Sequence, residues 1–142
     1  MTMIGYQMKT ITDKIKGSGD RELKRQGITL PQSFVLLYLA EHGGSSTQKD
    51  LEIGMGVSHA TISGIVTRME NGGFLHCYPD SADRRNKIVE MTDKARRNSK
   101  EMHSSIAAHE KMLLKGLTGE EIKELERMLA VISDNVLKSL ET

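Results

Sequence analysis

The chain has 142 residues, a formal net charge of +1 at pH 7, 37% hydrophobic and only 4% aromatic residues, which fits one domain with a modest aliphatic core that a partner subunit would help to cover. Near-neutral charge excludes a nucleic-acid binder working by bulk basicity, and the single Cys77 excludes an intrachain disulfide and suits a reducing compartment. The N-terminus has no signal-peptide core and no apolar run approaches the ~18 residues of a membrane span, so a soluble, cytoplasmic protein is expected.

Ile4, Met8, Ile11 and Ile15 recur at helical spacing, so the first segment reads as an amphipathic helix stopped by "GSGD" at Gly17. "RELKRQG" suggests a helical turn. "LPQSFVLLYLAEHGG" reads as the next helix, with Pro31 near its start and Gly43-Gly44 at its end. It is apolar almost all round, which places it at the centre of the fold.

Two short helices follow in tandem, "TQKDLEIG" and "SHATISGIVTRMENGG". Ser58 is a natural N-cap for the second, and Gly72-Gly73 end it. Leu51 and Met55 bury the first helix, Gly56 permits a left-handed turn, Val57 plugs the corner, and Ile62, Ile65, Val66 and Met69 bury one side of the second. This is the pattern of a helix-turn-helix; the bland alternative is a helical hairpin inside an all-helical domain. The opposite side carries Ala60, Thr61, Ser63, Gly64, Thr67 and Arg68, small and polar enough to lie in a major groove. Ser58 and the helix N-terminus can hold a phosphate, and His59 can meet phosphate or base. Glu52 occupies a position that usually holds a small residue, and its carboxylate needs solvent or a partner, with Arg68 one option.

"FLHCY" and "NKIVEM" are short and β-prone, joined by the polar "PDSADRR", which suggests a hairpin. Leu75 and Cys77 share one strand face and Val89 and Met91 share a face of the other. Helix-turn-helix followed by a two-stranded ribbon is the order of a winged helix. From Thr92 a long helix runs to Gly116, and a capping-box spacing at Thr118 and Glu121 opens a last helix. Its stripe of Ile122, Leu125, Leu129, Ile132, Val136 and Leu140 reaches the chain end.

"GVSHATISGIVTRMENGGFL" and "DRRNKIVEMT" together resemble the MarR family of winged-helix transcription regulators, and the resemblance extends in order over nearly all of the chain. The family's wing carries an Asp, an Arg two residues later, and a Val-x-Leu-Thr run. Asp83, Arg85 and Val89-Glu90-Met91-Thr92 match it, with Met91 for Leu; a Gly common after the Thr is absent, and Ala95 stands nearby. The resemblance implies one MarR-like domain, mainly α with a small β-wing. Residues 28–91 would form the DNA-binding lobe, and residues 1–27 and 92–142 the dimerisation helices. The terminal apolar stripes independently point to a partner copy. It further implies a homodimer reading a pseudo-palindromic operator, with half-sites about 34 Å apart, and a cleft for a small-molecule effector. No effector residue can be named, since core packing explains Phe34, Tyr38, Met102 and Ile106 equally well.

Arg85 suits an A·T-rich minor groove, while Arg84 and Lys87 suit phosphates; a solvated charged turn is the alternative. Cys77, alone in a strand, reads as structural rather than redox-sensing. His103 and His109 are six residues apart, which does not grip a metal ion from one helix, and no cofactor is expected. The expected function is a dimeric DNA-binding regulator, a repressor relieved by an effector. The alternative is a winged-helix protein-interaction module without DNA binding, which Glu52 and the low charge favour. No nucleophile–base pair or phosphate loop suggests an enzyme.

Overall fold

In a computed structural model the structure describes residues 3–18 and 20–141. The chain divides into two compact units, Met1–Ala107 and Ala108–Thr142. The first contains α1 (Ile4–Ser18), α2 (Asp20–Arg25), α3 (Leu30–Glu41), β1 (Ser45–Thr47), α4 (Gln48–Met55), α5 (His59–Asn71), β2 (Leu75–Pro79) and β3 (Lys87–Met91). The long α6 (Asp93–Leu113) begins there, and α7 (Gly119–Leu140) lies in the second unit. The first helix continues one residue past the expected stop at Gly17; Gly19, in the same "GSGD" segment, lies outside the described residues.

Local chemistry explains most boundaries. Thr29 caps α3 in a full capping box with Gln32, and Pro31 follows where a missing N–H costs little. Thr47 caps α4, Ser58 caps α5, and Thr118 with Glu121 forms the expected capping box of α7, each cap contributing about 1 kcal/mol. Gly56 ends α4 in the left-handed region at φ 65°, so the turn to α5 is one that residues with a Cβ rarely adopt.

The core lies in the first unit. Val35, Leu36 and Leu39 of α3 pack with Leu51 of α4, Ile62, Val66 and Met69 of α5, Val89 and Met91 of β3, and Ala95 and Met102 of α6. Burial of each large side chain contributes roughly 1.5–3 kcal/mol. The central placement expected for α3 holds for that face, but Phe34 is turned outward and remains 41% exposed. A helix presents residues 35, 36 and 39 on one side, so residue 34 cannot join them.

The wing sheet has three strands, not the two expected, in the order β1-β3-β2, with both pairings antiparallel. Leu75 pairs with Met91 and Cys77 with Val89, which puts the expected apolar faces against the helices. The extra strand, Ser45–Thr47, pairs with residues 88–90. Three hydroxyl residues without apolar alternation give no strand signal; β3 supplies the missing partner.

Candidate nucleic-acid interface

The outward stripe of α5 is built by subtraction. Ile62, Ile65, Val66 and Met69 are withdrawn into the core, which leaves Ala60, Thr61, Thr67 and Arg68 exposed along the opposite side. Gly64 is half-buried on that side, with the Arg68 guanidinium 3.6 Å from where its Cβ would stand. Ser58 is exposed at the N-terminus, but its hydroxyl is already engaged with the backbone N–H and hydroxyl of Thr61. Ser63, expected on the groove side, is half-buried and turned to α4, where its hydroxyl accepts from Gln48 Nε2 at 3.2 Å.

The partner of Glu52 is His59 rather than Arg68. Its Oε2 lies 2.9 Å from His59 Nδ1 and accepts from Gln48 Nε2 at 3.3 Å. The reason is geometric: His59 opens α5 on the flank facing α4, whereas Arg68 sits on the far flank more than two turns later.

The wing tip is braced by its own acids. Asp80 Oδ1 accepts from the Ala82 N–H at 3.0 Å, and Asp83 Oδ1 accepts from the Arg85 N–H at 3.1 Å. Asp83 also accepts from Arg85 Nε at 3.0 Å and Nη2 at 2.9 Å. That fork fixes the guanidinium plane and leaves Nη1 and one Nη2 hydrogen free to donate. The side-chain bonds from Arg85, helped by its backbone N–H, hold the Asp83 carboxyl below the usual carboxylate range, and Asp83 holds the Arg85 guanidinium more firmly protonated. The Arg85 side chain is 90% exposed, as a groove contact requires. Arg84 and Lys87 are also exposed.

A cleft of about 460 Å³ separates the wing from the helix-turn-helix. Thr47, Gln48, Lys49, Glu52, His59 and Ser63 line one side, and Arg85, Asn86 and Lys87 the other. Lys49, Gln48 and Asn86 carry no motif that marks them for this cleft; a Lys just inside the start of α4 is the one local signal. The lobe is not basic: residues 28–91 hold five Lys or Arg and seven Asp or Glu. Charge is therefore local, concentrated on the wing. Among the described residues no group of three His, Cys, Asp or Glu is placed to hold a metal ion, and no helix is long and apolar enough to cross a membrane.

A helix-turn-helix whose second helix is polar outward, followed by a hairpin with an arginine at its tip, defines a winged helix-turn-helix protein. A family model described as "MarR family" matches residues 26–86, so the stretch from the end of α2 to the wing tip is similar to the MarR family. It is 28% identical over 131 residues to the HTH-type transcriptional repressor IacR of Pseudomonas putida, covering 92% of this chain and 78% of that one. The organohalide-sensing regulator RdhR, solved with 2,4-dichlorophenol bound, superposes with a TM-score of 0.84 at 22% identity over 94% of this chain and 79% of that one. MepR of S. aureus, solved in complex with DNA, superposes at 0.82 with 22% identity over 96% of this chain and 99% of that one. At such identity the structural likenesses speak for the fold.

Proposed function

We infer that the chain is a sequence-specific DNA-binding transcriptional regulator, acting as a homodimer and repressing until a small-molecule effector lowers its affinity. The observation that carries this reading is the pairing of an exposed small-and-polar face on α5 with Arg85, held outward by Asp83. On this reading α5 enters the major groove, with Ala60, Thr61, Thr67 and Arg68 nearest the bases. Arg85 enters the flanking minor groove, and Arg84 and Lys87 meet phosphates. Ser58 and His59 approach the backbone at the helix N-terminus. Residues 28–91 form the DNA-binding lobe, while residues 1–27 and 92–142 supply dimerisation. The chain works in the cytoplasm with the DNA it reads, and no step requires catalysis. IacR is a repressor by name, MepR is solved on DNA and RdhR with a phenol, which supports both the DNA and the effector halves of the reading.

The acidic balance of the lobe favours a second reading, a winged-helix module that binds protein instead. Titration against a duplex carrying the region upstream of the protein's own gene, at several salt concentrations, separates the two. With five Lys or Arg per lobe, a dimer should show log K falling with log salt at a slope no steeper than about −9. Arg85→Ala should weaken binding by about tenfold or more and make the slope shallower. Absence of any salt-dependent binding would leave the interaction-module reading in its place.

A further inference from the structure

Glu52 sets a carboxylate with only 18% side-chain exposure beside the first turn of the helix that faces DNA. An acid there opposes a phosphate backbone unless its charge is used locally. Its Oε2 lies 2.9 Å from His59 Nδ1, and Gln48, itself 94% withdrawn from solvent, donates to it from the other side. A carboxylate can only accept, so His59 Nδ1 carries hydrogen and the opposite nitrogen, Nε2, is the ring's free polar atom. The His59 side chain is 76% exposed and lines the cleft between helix and wing. A phosphate oxygen is also purely an acceptor. Nε2 can therefore meet a phosphate only as an N–H, which means the whole ring must be the imidazolium, charge-assisted on both sides.

We propose that Glu52 is a positioning residue: it aims His59 as a proton-carrying contact to a DNA phosphate, so that DNA binding is linked to proton uptake. This rests on the DNA-binding reading above. The other charged groups lining the cleft with His59 are Lys49 of α4 on its own side and Arg85 and Lys87 of the wing opposite. They raise the local positive potential around the phosphate and stay in place in the variants below.

The test is affinity between pH 6 and pH 8 at fixed ionic strength, on a duplex carrying the region upstream of the protein's own gene and on a mixed-sequence duplex of equal length. Wild-type affinity should fall roughly tenfold across that range as the imidazolium is lost, on both duplexes alike, because phosphates are common to both. His59→Asn should bind no more tightly than wild type does at pH 8 and should show a flat profile. Glu52→Gln removes the charge and sets beside Nδ1 a carboxamide that can turn either its oxygen or its NH2 to the ring, so the ring's proton-carrying orientation is no longer fixed. Simple relief of repulsion would tighten binding equally at every pH; loss of positioning makes the profile shallower. Thermal melts matching wild type guard against unfolded variants. The proposal is overturned by a flat wild-type profile, by a full profile in His59→Asn, or by a Glu52→Gln profile displaced without change of slope. pH dependence confined to the gene's own duplex would overturn the phosphate as the contact. Failure to bind either duplex at any pH and low salt strikes at the DNA-binding reading instead.

Discussion

The ring of Tyr38 on α3 occupies the space beside Gly54 on α4, so that a Cβ built on the glycine would collide with Tyr38 Cε2 and stand 2.6 Å from its hydroxyl oxygen. Tyr38 is held there from two sides. Its hydroxyl donates to the Asp50 carbonyl at 3.2 Å, and its ring stacks on His42 with centroids 4.0 Å apart. Gly54 is thus required for space. Gly54→Ala should destabilise the fold by about 1–3 kcal/mol through overpacking, despite a helix-propensity gain of about 1 kcal/mol. In a Tyr38→Ala background the same substitution should become neutral or stabilising. Urea denaturation of the four proteins closes the cycle; an equal loss in both backgrounds would show that Tyr38 is not the obstacle.

Cys77 should be a slow thiol. Burial, then the charge of Glu70, then a hydrogen bond to that carboxylate push its pKa up to about 11, with Lys87 opposing. The thiolate is the reactive form, so iodoacetamide should modify the folded protein far more slowly at pH 8 than the urea-unfolded chain. Glu70→Gln should speed the reaction, since it removes the charge that opposes ionisation. The sign for stability follows. The folded pKa lies above the ordinary value of 9.0, so the contribution is complete below about pH 9 and fades as pH rises towards 11. Equal reaction rates in the folded and unfolded chain would refute this account and reopen redox sensing at this position.

Much of this arrangement is legible in the sequence because it is local. The capping signal at Thr118 and Glu121, the left-handed turn at Gly56, and the alternation of Leu75, Cys77, Val89 and Met91 depend on residues a few positions apart or on a single hairpin. The Asp83–Arg85 fork spans two residues and is equally local. Relations between elements are less legible. The pairing of Ser45–Thr47 with β3 joins segments some forty residues apart, and nothing in three hydroxyl residues announces it. The choice of His59 over Arg68 as partner for Glu52 depends on which flank of α5 faces α4, and the crossing of two helices decides that. Ser63 is of the same kind: its hydroxyl suits the exposed side by composition, but it meets the Gln48 carboxamide on the flank facing α4.

The last helix makes a different demand. Within the unit Ala108–Thr142, α7 has no buried residue, although Leu129, Val136, Leu137 and Leu140 are 45%, 54%, 49% and 76% exposed. An apolar stripe of this extent on an isolated chain marks an interaction surface, and a second copy is the occupant the family implies. Leu129→Glu combined with Val136→Glu should leave helix content unchanged, because both side chains are exposed in the single chain and the capping box at Thr118 is untouched. The dimer dissociation constant should rise by about tenfold or more for each lost contact, the equivalent of roughly 1.5–3 kcal/mol of apolar burial. Sedimentation velocity reads the change directly. DNA affinity at low protein concentration should fall with it, because two recognition helices linked in one dimer act at high effective concentration on one operator. A double variant that still sediments as a dimer at micromolar concentration would remove α7 from the interface.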